Sequence, residues 1–421
     1  MNKIAWVIPF ASSGIGKYAE IVKRYLSNFE LIIFSLEKRF ELDIFSQFPL
    51  IVYNFGNTKE SLFLYQAIRK YPGIAVLHDR TYHHLFAYYY LEYLKRPDLY
   101  YKALSFLYGE SVAQYAKSQH IPIWETEDCV KYPMRELIYP YTTAVIVHSK
   151  NYLKTISKEY VGIKVYLPLP FEINDVSFDK YFDRKKLNLP DKKIILFSYG
   201  FINKNRMIEE VLRVIGENEE IKRNAFYIIA GNISDKYLDE INLIVKHYKL
   251  YENVRIYGYI SDKELYQYLA VSDLCINLRR YNTEGASWSL LEQMFNEKAV
   301  ITSDGGFFSE LPDDVLIKVK DIKELKEKLI KIVFNPSILK DLGKKAKNYV
   351  IENFNPDFFI KNFKNLIEVS SFEINKKKIL NKLLKELITA IPFMSYIIAN
   401  NIEDRFLSSI SKDFCEIFFR G

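Results

Sequence analysis

Glu284-Gly285-Ala286-Ser287-Trp288-Ser289-Leu290-Leu291-Glu292 sets two carboxylates eight positions apart around a glycine and small hydroxylated residues. Before it, Asp273-Leu274-Cys275-Ile276-Asn277-Leu278 is a short apolar run. After it, Leu290, Leu291, Met294 and Phe295 recur at helical spacing. The pattern predicts a strand, a turn and a helix, with Ser287 or Ser289 as the helix N-cap. A helix N-terminus presents N–H groups without intrahelical partners and a partial positive charge, which suits a phosphate. Glu284 then stands in the loop above that site and Glu292 on the second helical turn. One carboxylate can accept sugar hydroxyls while the other reaches a ribose of the same ligand. The same spacing also fits a solvated acidic loop followed by an ordinary capped helix.

The chain alternates strands and helices on both sides of this stretch. Upstream, Lys193-Ile194-Ile195-Leu196-Phe197-Ser198 reads as a strand running into Tyr199-Gly200-Phe201-Ile202-Asn203-Lys204-Asn205-Arg206, and then a helix carries Ile208, Val211, Leu212 and Ile215 on one face. A glycine with two cations, Lys204 and Arg206, at a strand-to-helix turn is a candidate diphosphate clamp. Strands follow at Phe226–Gly231 and Val254–Ile260, then a helix over Asp262–Val271. Downstream, Ala299–Ser303 reads as a buried strand, and helices are expected over Ile322–Val333 and Leu339–Val350.

Residues 4–10 form an apolar, β-branched first strand, and Ala11-Ser12-Ser13-Gly14-Ile15-Gly16 a glycine loop before a helix through Tyr18, Ile21, Val22 and Leu26. Gly14-x-Gly16-x-x-Ala19, with Glu37 after the strand Leu31–Ser35, approximates a dinucleotide fingerprint. An NAD(P)-dependent oxidoreductase is therefore an alternative reading, although the turn before Gly14 is longer than that fingerprint uses. Leu50–Tyr53 is a further strand, and Tyr71-Pro72-Gly73-Ile74-Ala75-Val76-Leu77-His78-Asp79 another that ends in His-Asp. Parallel sheets place ligands at the carboxyl ends of their strands. His83 and His84 begin an aromatic helix through Leu94, residues 98–140 read as helical, and Ala144–Val147 is a buried strand ending in His148-Ser149.

At 421 residues two domains are expected. The net charge of +7 suits an anionic ligand or an anionic membrane and falls short of a nucleic-acid binder's concentrated basic face, so no nucleic-acid partner is expected. Cys129, Cys275 and Cys415 lie far apart with no CxxC pair, which points to a reducing compartment and away from a structural zinc site. The absence of HExxH argues against a zinc hydrolase. No apolar run reaches the roughly 18 residues of a membrane span, and the short apolar N-terminus lacks a signal-peptide cleavage pattern. A cytoplasmic protein is expected. From Lys376 a segment places Ile379, Leu380, Leu383, Leu384, Leu387, Ile388 and Ile391 on one face with lysines opposite. Such an amphipathic helix packs on the protein or lies on an anionic bilayer at the inner face of the membrane.

The Glu-x7-Glu spacing, followed by Ala299–Ser303 and Asp304-Gly305-Gly306, resembles retaining glycosyltransferases of the GT-B fold, most closely family 4 (glycosyl transferases group 1). The resemblance covers roughly residues 1–370. It implies an α/β protein with two Rossmann-like domains facing a cleft and C-terminal helices: an acceptor-side domain over 1–170, a linker over 171–192, a nucleotide-sugar-binding domain over 193–352, and a crossover helix with amphipathic C-terminal helices over 353–421. It implies transfer of a sugar from a nucleoside diphosphate sugar to a glycan or lipid-linked acceptor, with retention and with neither cofactor nor metal. By the same resemblance Glu284 contacts the donor sugar, Glu292 the ribose, and the amides of Gly285, Ala286, Ser287 and Trp288 the diphosphate. Arg206, six after Gly200, binds the diphosphate with Lys204. His78 approaches the sugar, Gly14 and Gly16 form the family's Ser-Gly-Ile loop in the cleft, and Tyr259 and Ile260 meet the base. The chain departs from the family in having Ala286-Ser287 where Phe-Gly is common, and Phe201 where an arginine often follows the glycine. The second departure keeps a further alternative open, a catalytically inactive GT-B-like partner subunit.

Overall fold

A computed structural model describes residues 3–38, 40–172 and 183–368. The amphipathic segment 376–391, Cys415 and residues 173–182 of the expected linker lie outside the described residues. The chain divides into two compact units. Among the described residues, unit 1 comprises those up to Leu169, Thr283–Gly285 and residues 357–368; unit 2 comprises those of Pro170–Asn282 and Ala286–Pro356.

Unit 1 is built on β1 (Lys3–Ile8), β2 (Glu30–Ser35), β3 (Leu50–Phe55), β4 (Gly73–Leu77), β5 (Thr142–Val147) and β6 (Ile163–Tyr166). They form one parallel sheet in the order β2-β1-β3-β4-β5-β6. Every residue of β3, β4 and β5 is buried, and the apolar sequences follow from that: a parallel sheet covered on both faces has no solvent side for polar alternation. The aromatic helix departs from its regular reading. After His83–Ala87 the backbone widens into a π turn over Tyr88–Tyr93, where the Leu94 N–H donates to the Tyr89 carbonyl at 3.0 Å. The wider turn lets both Tyr89 and Tyr90 reach the core. A helix over residues 356–368 packs within this unit, with Phe363 edge-on to Trp6 and Phe359 edge-on to Tyr18.

Unit 2 repeats the design with β7 (Ile194–Tyr199), β8 (Ala225–Ala230), β9 (Val254–Tyr257), β10 (Leu274–Asn277), β11 (Ala299–Ser303) and β12 (Ile317–Val319), in the parallel order β12-β11-β10-β7-β8-β9. Several of its helices start on side chains suited to the task. Ser234 and Asp321 accept a backbone N–H of the first turn, and Ser261 with Glu264 forms a reciprocal capping box. Apolar faces of the flanking helices, such as Ile208, Val211, Leu212 and Ile215, pack with Leu196, Tyr227 and Ile276 of the sheet in one core.

Each unit is thus a doubly wound, Rossmann-like α/β layer, and each has one point where strand order reverses. In unit 1 it lies between β1 and β3, in unit 2 between β7 and β10. Loops leaving the carboxyl ends of such neighbours diverge to opposite faces and leave a crevice there.

Candidate functional site

In unit 2 the crevice is framed by the turns after β7 and β10. Gly200 has φ of +111°, and a Cβ there would lie 3.1 Å from the Arg206 Nη2, so the guanidinium folds over this glycine. Gly231, with φ of +140°, lets the next turn come so close that a Cβ would stand 1.7 Å from the Gly200 carbonyl oxygen. The loop carrying Arg206 is tied down. Asn203 caps it through the Asn205 N–H at 3.1 Å, the Asn205 carbonyl accepts the Arg280 N–H at 2.8 Å, and Arg280 pairs with the buried Glu210. Arg206 then donates to Asn277 Oδ1 at 3.2 Å. Asn277, at the end of β10, is buried and also donates to Ser289 Oγ at 3.3 Å and Gln293 Oε1 at 2.9 Å. Lys204 is not brought to this cluster, because its ammonium is held by Glu240 at 2.8 Å.

The helix Trp288–Phe295 starts as expected, with Ser287 as N-cap, but no side chain accepts from its first turn. Ser287 Oγ faces Ser289 Oγ at 3.3 Å instead. The helix thus keeps the amide donors and the partial positive charge of its N-terminus uncapped. Trp288 packs on Phe171 with ring centroids 4.9 Å apart and the ring planes tilted by 55°. Glu292, on the second turn, is only 3% exposed, and its carboxylate accepts the Tyr199 hydroxyl at 2.8 Å and the Tyr266 hydroxyl at 3.0 Å. The turn after β9 leaves Tyr259 at 77% exposure, with Ile260 half-buried beside it.

In unit 1 the segment Thr283–Gly285 lies along the end of β4. Gly285 N–H donates to the His78 carbonyl at 2.8 Å, Arg80 N–H to the Thr283 carbonyl at 2.6 Å, and Asp79 and Glu284 form an antiparallel bridge. A Cβ at Gly285 would lie 2.8 Å from the His78 carbonyl oxygen, so glycine permits the approach. Asn54 donates to the Val7 carbonyl at 3.1 Å, which leaves its Oδ1 to accept from His78 Nε2 at 3.2 Å. That bond assigns the Nε2–H tautomer and leaves His78 Nδ1 as an acceptor. Burial, with His148 nearby, holds the His78 pKa well below the ordinary value, so the ring is neutral. His148 donates from Nδ1 to the Leu167 carbonyl at 2.8 Å, and burial lowers its pKa to about 4.

Asp79, directly after His78, accepts the Asn57 N–H at 2.7 Å. Burial raises its pKa to about 7, the Glu284 charge adds to the rise, and the Asn57 amide and His84 oppose it. His84 contacts Asn57 at 3.3 Å and Glu125 at 3.5 Å, whereas His83 is buried against Tyr100. The glycine loop before the first helix of unit 1 is closed by its own chain. Gly14 opens the helix Gly14–Tyr25, Ser13 Oγ accepts the Gly16 N–H, and a Cβ on Gly16 would lie 1.8 Å from the Ala11 carbonyl oxygen. Glu37 accepts the Ala11 N–H at 3.1 Å and so faces this loop.

Sequence reasoning missed Asp79, Tyr199, Tyr266 and Asn277. Asp79 and Tyr199 adjoin His78 and Gly200, which were singled out, and strand-end position was the available signal. Tyr266 carries no local signal.

Comparison with known proteins gives this geometry its context. Residues 179–349 match one family model, glycosyl transferases group 1. A glycosyltransferase of Methanocaldococcus jannaschii, itself uncharacterised, is 26% identical over 243 residues, covering 55% of this chain and 60% of that protein. The chain spans less than two thirds of the length of the curated relatives it matches. Among solved structures, sucrose-phosphate synthase from Thermosynechococcus elongatus is similar with a TM-score of 0.63 and 16% identity, over 87% of this chain and 98% of that one. HepE of Anabaena, solved in complex with UDP and glucose, has a TM-score of 0.61 and 12% identity, over 88% of this chain and all of that one (100%). At these identities the likeness is one of fold, and the fold is GT-B.

Proposed function

We propose that this chain is a glycosyltransferase that moves a sugar from a nucleoside diphosphate sugar to a glycan or lipid-linked acceptor, with retention at the anomeric carbon. The observation that carries the reading is in unit 2, inside the segment that matches glycosyl transferases group 1. There Arg206 over Gly200, the uncapped N-terminus of Trp288–Phe295 and the buried Glu292 gather at the reversal of strand order. A guanidinium and a free helix N-terminus suit a diphosphate, and a buried carboxylate suits a ribose diol. The binding of UDP by HepE, the Anabaena protein of the same fold, supports a nucleoside diphosphate as the common ligand and makes UDP the first to try.

On this reading Arg206 and the amides from Ala286 to Trp288 stabilise the departing diphosphate, so that negative charge develops against donors already in place, whereas the Gly285 N–H is already given to the His78 carbonyl. Within unit 1, Glu284 and the neutral His78, whose Nδ1 is left as an acceptor, are the groups suited to sugar hydroxyls. Tyr259 and Ile260 flank the base. The lysine-lined segment after Lys376 is the part of the sequence suited to an anionic bilayer, which a lipid-linked acceptor would require.

The test is turnover of UDP-, GDP- and ADP-sugars with and without oligosaccharide and lipid-linked acceptors, read as nucleoside diphosphate released. One donor is expected to react, and Glu284→Gln to lose most turnover while still binding the nucleoside diphosphate. NMR of the product's anomeric proton then reports stereochemistry. Inversion would refute retention, and a chain that binds none of the three nucleoside diphosphates is not a nucleotide-sugar enzyme.

A further inference from the structure

We infer that Tyr199 and Tyr266 are positioning residues that orient the Glu292 carboxylate toward a ribose diol, and so set the preference of unit 2 for ribonucleotides over deoxy analogues. The inference rests on the donor reading above and adds two residues to it.

The geometry is a carboxylate held from two sides. Tyr199 donates to Glu292 Oε2 at 2.8 Å and Tyr266 to Oε1 at 3.0 Å, so each oxygen has its own fixed donor. All three side chains are buried, with Tyr199 at 7%, Tyr266 at 6% and Glu292 at 3% exposure. A carboxylate offers about four acceptor positions on its two oxygens, and each tyrosine occupies one of them. A vicinal diol presents two donors at a spacing that matches those two oxygens. With both oxygens anchored, rotation of the carboxylate about its terminal bond is blocked, and the remaining acceptor positions point in one set of directions.

The two tyrosines also come from the segments that bear on the rest of the donor. Tyr199 is the last residue of β7, directly before Gly200 and the loop carrying Arg206, and its hydroxyl lies 3.2 Å from the Ser289 carbonyl in the first turn of the Glu292 helix. Tyr266 lies on the helix Asp262–Val271, which follows the turn bearing Tyr259 and Ile260. Burial and the Glu292 charge both raise the two phenol pKa values, so the hydroxyls remain donors throughout the working pH range.

The experiment is calorimetric binding to the full chain. UDP, GDP and ADP are tried first, and the tightest is compared with its 2′,3′-dideoxy analogue in wild type, Tyr199→Phe and Tyr266→Phe. Loss of a hydrogen bond to a buried charge costs about 10- to 100-fold in affinity, so wild type should prefer the ribonucleotide by about that ratio. Each Phe variant is expected to lower the ratio about tenfold while binding the dideoxy analogue as wild type does, since that ligand has no diol to offer Glu292. Unchanged dideoxy binding doubles as the folding control, and the two variants test the same claim independently. A wild type that prefers neither ligand overturns the ribose assignment of Glu292. A wild type that discriminates, with variants that keep its ratio or lose both ligands in parallel, overturns the role of the tyrosines alone. Binding of no nucleoside diphosphate overturns the donor reading and this inference together.

Discussion

Asp79→Asn should alter the pH dependence of unit 1 stability in a direction that ordinary acid denaturation does not produce. Asp79 has its pKa raised from 3.8 to about 7, chiefly by burial and further by the Glu284 charge. Between those values the folded protein holds a proton on Asp79 that the unfolded chain has released, so stability falls as pH rises. It is greatest below the unfolded pKa and lost progressively as pH climbs through the folded value. Each unit of pH costs about 1.4 kcal/mol over that range, so from about pH 5 to about pH 8 the wild type should lose about 3 kcal/mol through this group. Asparagine stays neutral and its Oδ1 can still accept the Asn57 N–H, so the variant should lack this component. The assay is urea unfolding at both pH values, read by hydrogen exchange in peptides covering β3 and β4, which reports unit 1 by itself. His84, Tyr82, Tyr152 and Cys129 also interact electrostatically with Asp79. None of them is altered in the variant, so the difference between the two proteins isolates Asp79. Equal losses of stability in wild type and variant would refute the raised pKa, and with it the account of Asp79 as a buried acid beside Glu284.

Two further outcomes test the turns of unit 2. Gly231→Ala must accommodate a Cβ 1.7 Å from the Gly200 carbonyl oxygen at a φ of +140°, so it should cost about 3 kcal/mol and lower the melting temperature. It should also weaken nucleotide binding, because the displaced atom belongs to the Gly200 turn, and a variant with wild-type melting would contradict the close approach. Arg206→Ala should weaken a nucleoside diphosphate about 30-fold in calorimetry while leaving the free nucleoside unaffected, since only the former offers a phosphate to the guanidinium.

What the chain settled by itself was what local pattern carries. Short, uninterrupted apolar runs rich in β-branched residues, such as Ile194–Phe197 and Ala144–Val147, read as strands covered on both faces, and their alternation with amphipathic helices pointed to two parallel, doubly wound sheets. The Glu-x7-Glu spacing put its second carboxylate on the second turn of a helix, where the structure has it. The chain could not reveal what surrounds that carboxylate. Tyr199 and Tyr266 reach Glu292 across 93 and 26 positions, and nothing near any of the three announces the meeting. The joining of Asp79 to Glu284 is likewise made by backbone pairing between distant segments, and it brings the charge that adds to the rise in the aspartate's pKa that burial causes. Nor does Lys204 differ from Arg206 in sequence as a phosphate ligand, yet Glu240 takes one and Asn277 the other. Periodicity is written in neighbouring residues and survives without context. Burial, desolvation and hydrogen-bond partnership belong to atoms that only folding brings together, and the tertiary structure alone decided them.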